Sequence, residues 1–133
     1  MSDNRLTLMD FENRCSCKGY NLDKFLQPNI LILLAQENLH GYSIIQKLDE
    51  ERNFFGEKFD STGVYRTLQT MEKNLLVESS WDVEGAGAAR KTYQITAEGR
   101  SCLTNWAATL SWYQEIINEL ISDINETLKK TSE

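Results

Sequence analysis

A stripe of large apolar residues runs through the last third of the chain almost without interruption. Leu103, Trp106, Leu110, Tyr113, Ile117, Leu120, Ile124 and Thr127 are spaced 3-4-3-4-3-4-3, the a/d seam of a heptad repeat with one polar lapse. Ile116, Ile121 and Leu128 widen it. A helix from Ala97 to Lys130 extends about 51 Å at 1.5 Å per residue, longer than a small domain is wide. The roughly 95 residues ahead of it make one small domain, too little to cover so long an apolar face. Its first half can fold back on that domain; its second half needs a second copy. The spacing therefore predicts a homodimer joined through 97–130.

The preceding segment is a series of short elements. Ile30, Leu31, Leu33 and Leu34 give a first main helix a broad apolar face. Gln27-Pro28 opens it, since proline suits the first helical position. Asn21 caps a short turn over Leu22–Leu26 ahead of it, or one kinked helix runs from Leu22. The Asn38–Gly41 stretch ends the helix, and the turn Leu39-His40-Gly41-Tyr42 leads to a second, from Ser43 to Glu51. Tyr42, Ile44, Ile45 and Leu48 form its buried stripe, and Phe54, Phe55 and Phe59 in the connector read as core plugs. Ser61 suits the N-cap of a third helix. Val64, Leu68 and Met71 recur at i, i+4 and i+7 and face inward. Thr62, Tyr65, Arg66 and Gln69 fall on the outer face, and Asn74 can end the helix in a left-handed conformation. Two alternating runs follow. Val77, Trp81 and Val83 oppose Glu78, Ser80 and Asp82, and Lys91, Tyr93 and Ile95 oppose Arg90, Thr92 and Gln94. Gly85-Ala86-Gly87-Ala88 joins them as a small-residue hairpin tip.

Helix, tight turn, helix, outward-facing third helix and β-ribbon, in that order, form a shape that fits duplex DNA. The expected fold is mainly α (α+β): a winged helix-turn-helix with a two-stranded wing and a long C-terminal dimerisation helix. It divides the chain into an N-terminal arm (1–24), a DNA-binding domain (25–96) and the dimerisation helix (97–133). Expected DNA contacts are Ser61, Thr62, Gly63, Tyr65, Arg66 and Gln69 on the third helix, with Arg90 and Lys91 on the wing. The net charge of −6 opposes indiscriminate binding to nucleic acid. Residues 61–100, however, carry five basic and five acidic side chains, so the acid excess lies elsewhere. At a distance beyond about 8–10 Å that excess is largely screened.

No apolar run approaches the roughly 20 residues of a membrane span. The first twenty residues hold no signal-type apolar core, so a cytoplasmic protein without a membrane partner is expected. An enzyme is not: His40 is the only histidine, it lies in a turn where structural hydrogen bonding suits it, and no nucleophile has a neighbouring base. Cys15 and Cys17 form a C-x-C pair in the arm and Cys102 opens the last helix. Three thiolates suit a soft or borderline metal ion or a redox switch, the alternative being free thiols and a small core residue. Trp106, Trp112 and Tyr113, with Leu110, can line a flat pocket at a dimer centre or simply pack there.

Four stretches carry a family resemblance: Leu39-His40-Gly41-Tyr42, Ser61-Thr62-Gly63-Val64-Tyr65, Met71-Glu72-Lys73, and Arg90-Lys91-Thr92-Tyr93-Gln94-Ile95-Thr96-Ala97-Glu98-Gly99. Across roughly Ile30–Leu120 the chain resembles the PadR family of transcriptional regulators. The resemblance implies a dimeric repressor of operator DNA, an inverted repeat, with no required cofactor. By the family's habit it also implies a small aromatic or drug-like effector at or near the dimer interface. Thr62 and Arg66 stand where prolines are common in the family, Leu75 where a glycine is usual, and Ala88 and Ala89 where a basic residue and a proline are usual. The wing thus lacks one phosphate contact. The alternatives are a winged-helix protein-interaction module without DNA binding, or a soft-metal or redox sensor working through the cysteines.

Overall fold

The computed structural model describes residues 25–54, 56–82, 87 and 89–132. The arm with Cys15, Cys17 and the Asn21 turn, together with Phe55 and most of the hairpin tip, lies outside the described residues. The elements run α1 (Leu26–Gln36), β1 (Leu39–His40), α2 (Gly41–Glu51), α3 (Ser61–Lys73), β2 (Val77–Asp82), β3 (Arg90–Ile95) and α4 (Ala97–Thr131). This is the winged helix-turn-helix order, with a long terminal helix.

The middle of the domain is α1, with Ile30, Leu31, Leu33 and Leu34 all buried. Burying such side chains contributes roughly 1.5–3 kcal/mol each. Around them gather Ile44 and Leu48 from α2, Val64, Leu68 and Met71 from α3, and Val77 and Tyr93 from the sheet. The helix starts at Leu26, so Pro28 is its third residue and not its first. Asn29, though buried, is satisfied: its amide donates to the Phe25 carbonyl (2.9 Å) and its oxygen accepts from Arg52 Nε (2.9 Å).

Several local expectations need correcting. The Leu39-His40 turn is a short strand, pairing Leu39 with Tyr93 and His40 with Thr92. The sheet therefore has three strands, in the order β1-β3-β2, instead of two. Helix α2 begins at Gly41, two residues early, and Tyr42 is 69% exposed instead of buried. Of the connector aromatics, Phe59 is buried but Phe54 is exposed, its ring under the Arg52 guanidinium at 5.0 Å.

At the start of α3 the cap is Asp60 and not Ser61: the Asp60 carboxylate accepts from Gly63 N at 3.2 Å. At its end Asn74 is the C-cap, but the left-handed residue is Leu75, with φ 66°. Leu75 N donates to the Glu72 carbonyl (3.1 Å) and Leu76 N to that of Met71 (2.9 Å). These two bonds make a Schellman motif, with leucine where glycine ordinarily sits.

Helix α4 is one unbroken element of 35 residues. Its N-cap Thr96 accepts from Gly99 N at 2.9 Å, and its hydroxyl lies 2.6 and 2.9 Å from the carbonyl oxygens of Leu75 and Leu76. Gly99 is buried so tightly that a Cβ there would stand 2.1 Å from the Leu76 carbonyl oxygen. Cys102, Leu103 and Trp106 then pack on the core, and Trp106 Nε1 donates to Gln27 Oε1 on α1 (2.8 Å). Beyond Leu110 the stripe leaves the domain: Tyr113, Ile117, Leu120, Ile121, Ile124 and Leu128 are all exposed. No helix of the described residues is long and apolar enough to cross a membrane.

Candidate nucleic-acid interface

Helix α3 turns Val64, Leu68 and Met71 into the core, so its 3.6-residue period presents Thr62, Tyr65, Arg66 and Gln69 outward. These four residues line one groove of about 440 Å³, completed by Lys91 and Tyr93 of the wing strand. Tyr65 is held by a close approach. A Cβ at Gly41 would lie 2.7 Å from Tyr65 Cε1, so the ring rests on the start of α2 and would have to shift for any larger residue there.

Ser61 and Thr62 are exposed in the first turn of α3. Gly63 beside them is half-buried, its amide donating to the Asp60 cap. Arg90 is exposed and opens β3 opposite Asp82. Lys91, also expected to contact DNA, has a partner within its own domain. It shares a strand face with Tyr93, and its ammonium lies 3.4 Å from Glu72 Oε1, over the rings of Trp81 (5.9 Å) and Tyr93 (5.5 Å). Its charge is thus directed toward α3, while the side chain stays 34% exposed along the groove. Burial, with smaller contributions from Glu72 and Tyr65 and against the pull of Lys91, pushes the Tyr93 hydroxyl above its ordinary pKa.

A second, larger concavity of about 780 Å³ adjoins this groove, between residues 40–43, where β1 passes into α2, and the wing. Tyr42 and Trp81 project into it, and both are largely exposed. Sequence periodicity missed Tyr42 as a surface residue, because an aromatic at a helical position reads as core. His40 belongs here too. It lies in β1, with Nε2 3.8 Å from Asp82 Oδ2, so its partner is a wing carboxylate.

The remaining candidates are not gathered at one place. Trp106 is engaged with Gln27 inside its own domain, and Leu110 is half-buried. Trp112 and Tyr113 are exposed with their ring centroids 5.3 Å apart. Cys102 is half-buried, its thiol 3.6 Å from Gln27 Oε1. Its expected meeting with Cys15 and Cys17 lies outside the described residues. Among the described residues no group of three histidine, cysteine or carboxylate side chains could hold a metal ion.

Comparison with known proteins identifies this arrangement. An uncharacterised protein of Lysinibacillus sphaericus is 28% identical over 93 residues, covering 70% of this chain and 84% of that one. A PadR-like transcriptional regulator of Bacillus cereus superposes with a TM-score of 0.59 at 27% identity, over 72% of this chain and 90% of that one. Bacillus subtilis PadR, solved in complex with operator DNA, matches with a TM-score of 0.57 at 25% identity; this chain covers 46% of that protein's length, with 62% of its own residues aligned. The family model for PadR-like transcriptional regulators matches residues 30–105, which span both helices of the turn, the outward-facing helix, the wing and the root of the long helix. The chain belongs to the PadR-like family of transcriptional regulators.

Proposed function

We propose that this regulator binds operator DNA as a homodimer, with α3 in the major groove, the wing alongside, and the distal half of α4 covering its counterpart in a second copy. Its family is one of regulators and not of enzymes. The observation that carries the reading is the outer face of α3: Thr62, Tyr65, Arg66 and Gln69 are exposed together and line one groove. A related PadR is known with operator DNA. The exposed stripe from Tyr113 to Leu128 is a contiguous apolar surface that water does not favour and a second copy would cover. Two half-sites related by two-fold symmetry make the operator an inverted repeat. Repression follows if that operator overlaps a promoter. A small aromatic effector seated at the Leu110–Tyr113 level would act by changing how the two helices meet. Thiol chemistry at Cys102 would act at the same root.

The test is binding to the DNA upstream of its own gene, compared with a random duplex of equal length over a range of salt. Arg66→Ala is expected to weaken operator binding by roughly 1–3 kcal/mol and to narrow the gap to random DNA. Absence of any preference for the upstream fragment would favour a protein-interaction module instead.

A further inference from the structure

Glu72 lies in the last turn of α3 and touches both strands of the wing. Its Oε2 accepts from Ser79 Oγ on β2 at 2.5 Å, and its Oε1 accepts from Lys91 Nζ on β3 at 3.4 Å. Trp81 is paired directly opposite Lys91 and Ser79 opposite Tyr93, so hydroxyl, ammonium and both rings share one sheet face. The Glu72 and Lys91 side chains are each 34% exposed, which leaves the pair less screened than one in open solvent. Yet Lys91 also lines the groove beside Thr62, Arg66 and Gln69, within reach of a ligand on the face of α3. A DNA phosphate would compete with Glu72 for the same ammonium.

We infer that Glu72 is a positioning residue for DNA binding: it withholds Lys91 from the phosphates and pins the wing to the recognition helix, so that the described part of the wing offers DNA Arg90 alone. The inference rests on the DNA-binding reading above. Each phosphate neutralised by a cation contributes about 0.9 to the log–log salt slope regardless of sequence. Withholding one cation per protomer lowers attraction to all DNA alike and leaves discrimination to the outer face of α3. The same carboxylate ties α3 to both strands of the wing, of which β3 lines the groove.

Two variants test this in the full chain. Lys91→Gln should leave the salt slope for random duplex unchanged, since Lys91 is not a phosphate contact. Glu72→Gln keeps the side chain's shape and an oxygen for the Ser79 hydroxyl but frees the ammonium. It should steepen the slope by about 0.9 per protomer, an extra loss of roughly 3.5-fold per protomer on a fourfold rise in salt. It should also narrow the ratio of operator to random binding and speed amide hydrogen exchange in β2 and β3 of the DNA-free protein. The Glu72→Gln, Lys91→Gln double variant should return the slope to wild type. A slope that falls by about 0.9 per protomer in Lys91→Gln alone overturns the inference, whether or not Glu72→Gln folds. So does an unchanged slope in a folded Glu72→Gln. Wild-type protein that binds neither duplex overturns the DNA-binding reading and this inference together, an outcome distinct from a shifted slope in a protein that binds.

Discussion

Leu75 occupies a backbone position made for glycine, and this gives a prediction whose sign is unusual. Its φ of 66° is imposed by the two hydrogen bonds that close α3 and turn the chain into β2 within three residues. At an ordinary helix or strand position, glycine is less stable than alanine by about 0.5–1 kcal/mol. In the left-handed region an L-residue costs about 1–2 kcal/mol that glycine does not incur. At residue 75 the order should therefore invert, with Leu75→Gly more stable than Leu75→Ala by about 0.5–1 kcal/mol. Both variants lose the same side chain, which is 65% exposed, so the comparison isolates the backbone. For a chain of this size, such a difference amounts to about 2–5 °C in midpoint. Thermal or denaturant unfolding at matched protein concentration measures it, the matching being needed because self-association raises the apparent midpoint. If Leu75→Ala proved as stable as Leu75→Gly, the left-handed strain would not exist and the argument would fail.

Gly99→Ala should behave in the opposite way to an ordinary helix substitution. The added Cβ meets the Leu76 carbonyl at 2.1 Å and Ile95 Cγ1 at 2.7 Å, so a loss of about 1–3 kcal/mol or more is expected in denaturant unfolding instead of the gain of up to 1 kcal/mol typical of glycine to alanine in a helix. Leu120→Glu places a charge in the exposed stripe of α4; sedimentation should show folded monomer where wild type sediments as dimer, and an unchanged mass would remove that stripe from the interface. Tyr93 is favoured in its protonated form by the fold, so its contribution is complete below about pH 10 and is lost as pH rises through the raised folded value. In Tyr93→Phe the alkaline decline in stability should be shallower relative to the variant's own neutral-pH value, and identical declines would count against this burial effect.

Short-range periodicity is what made the helices and the ribbon legible. Val64, Leu68 and Met71 mark the inner face of α3 by spacing alone, and the outer four residues follow from it. The strand at Leu39-His40 was not legible, because its partners Tyr93 and Thr92 lie more than fifty positions away and two residues carry no alternation. Lys91 shows where pattern and chemistry conflict. Its alternation with Arg90 places it on Tyr93's face, yet a lysine near a hairpin tip suggests solvent; the carboxylate that decides the matter lies on another element. Tyr42 fails in the reverse direction, since an aromatic on a helical stripe suggests core, yet it lies open beside the wing. Asp60 and Ser61 are both good caps by composition, and a one-residue shift in the helix start chooses between them. For α4 the seam's spacing is the same along its whole length, so only packing against α1 reveals where the domain stops using it.

The Thr96 cap, the close-packed Gly99 and the Trp106–Gln27 hydrogen bond together weld the base of α4 to the reading head. An uninterrupted rod fixed in this way acts as a lever. From Gly99 to Ile117 is about 27 Å along the axis. A change of 10° in how two such rods cross would thus shift one head by about 5 Å relative to the other, more than the 3.4 Å that separates successive base pairs. In the dimer proposed above, a small rearrangement far from the DNA would then be enough to put two heads out of step with two half-sites, without disturbing the outer face of α3.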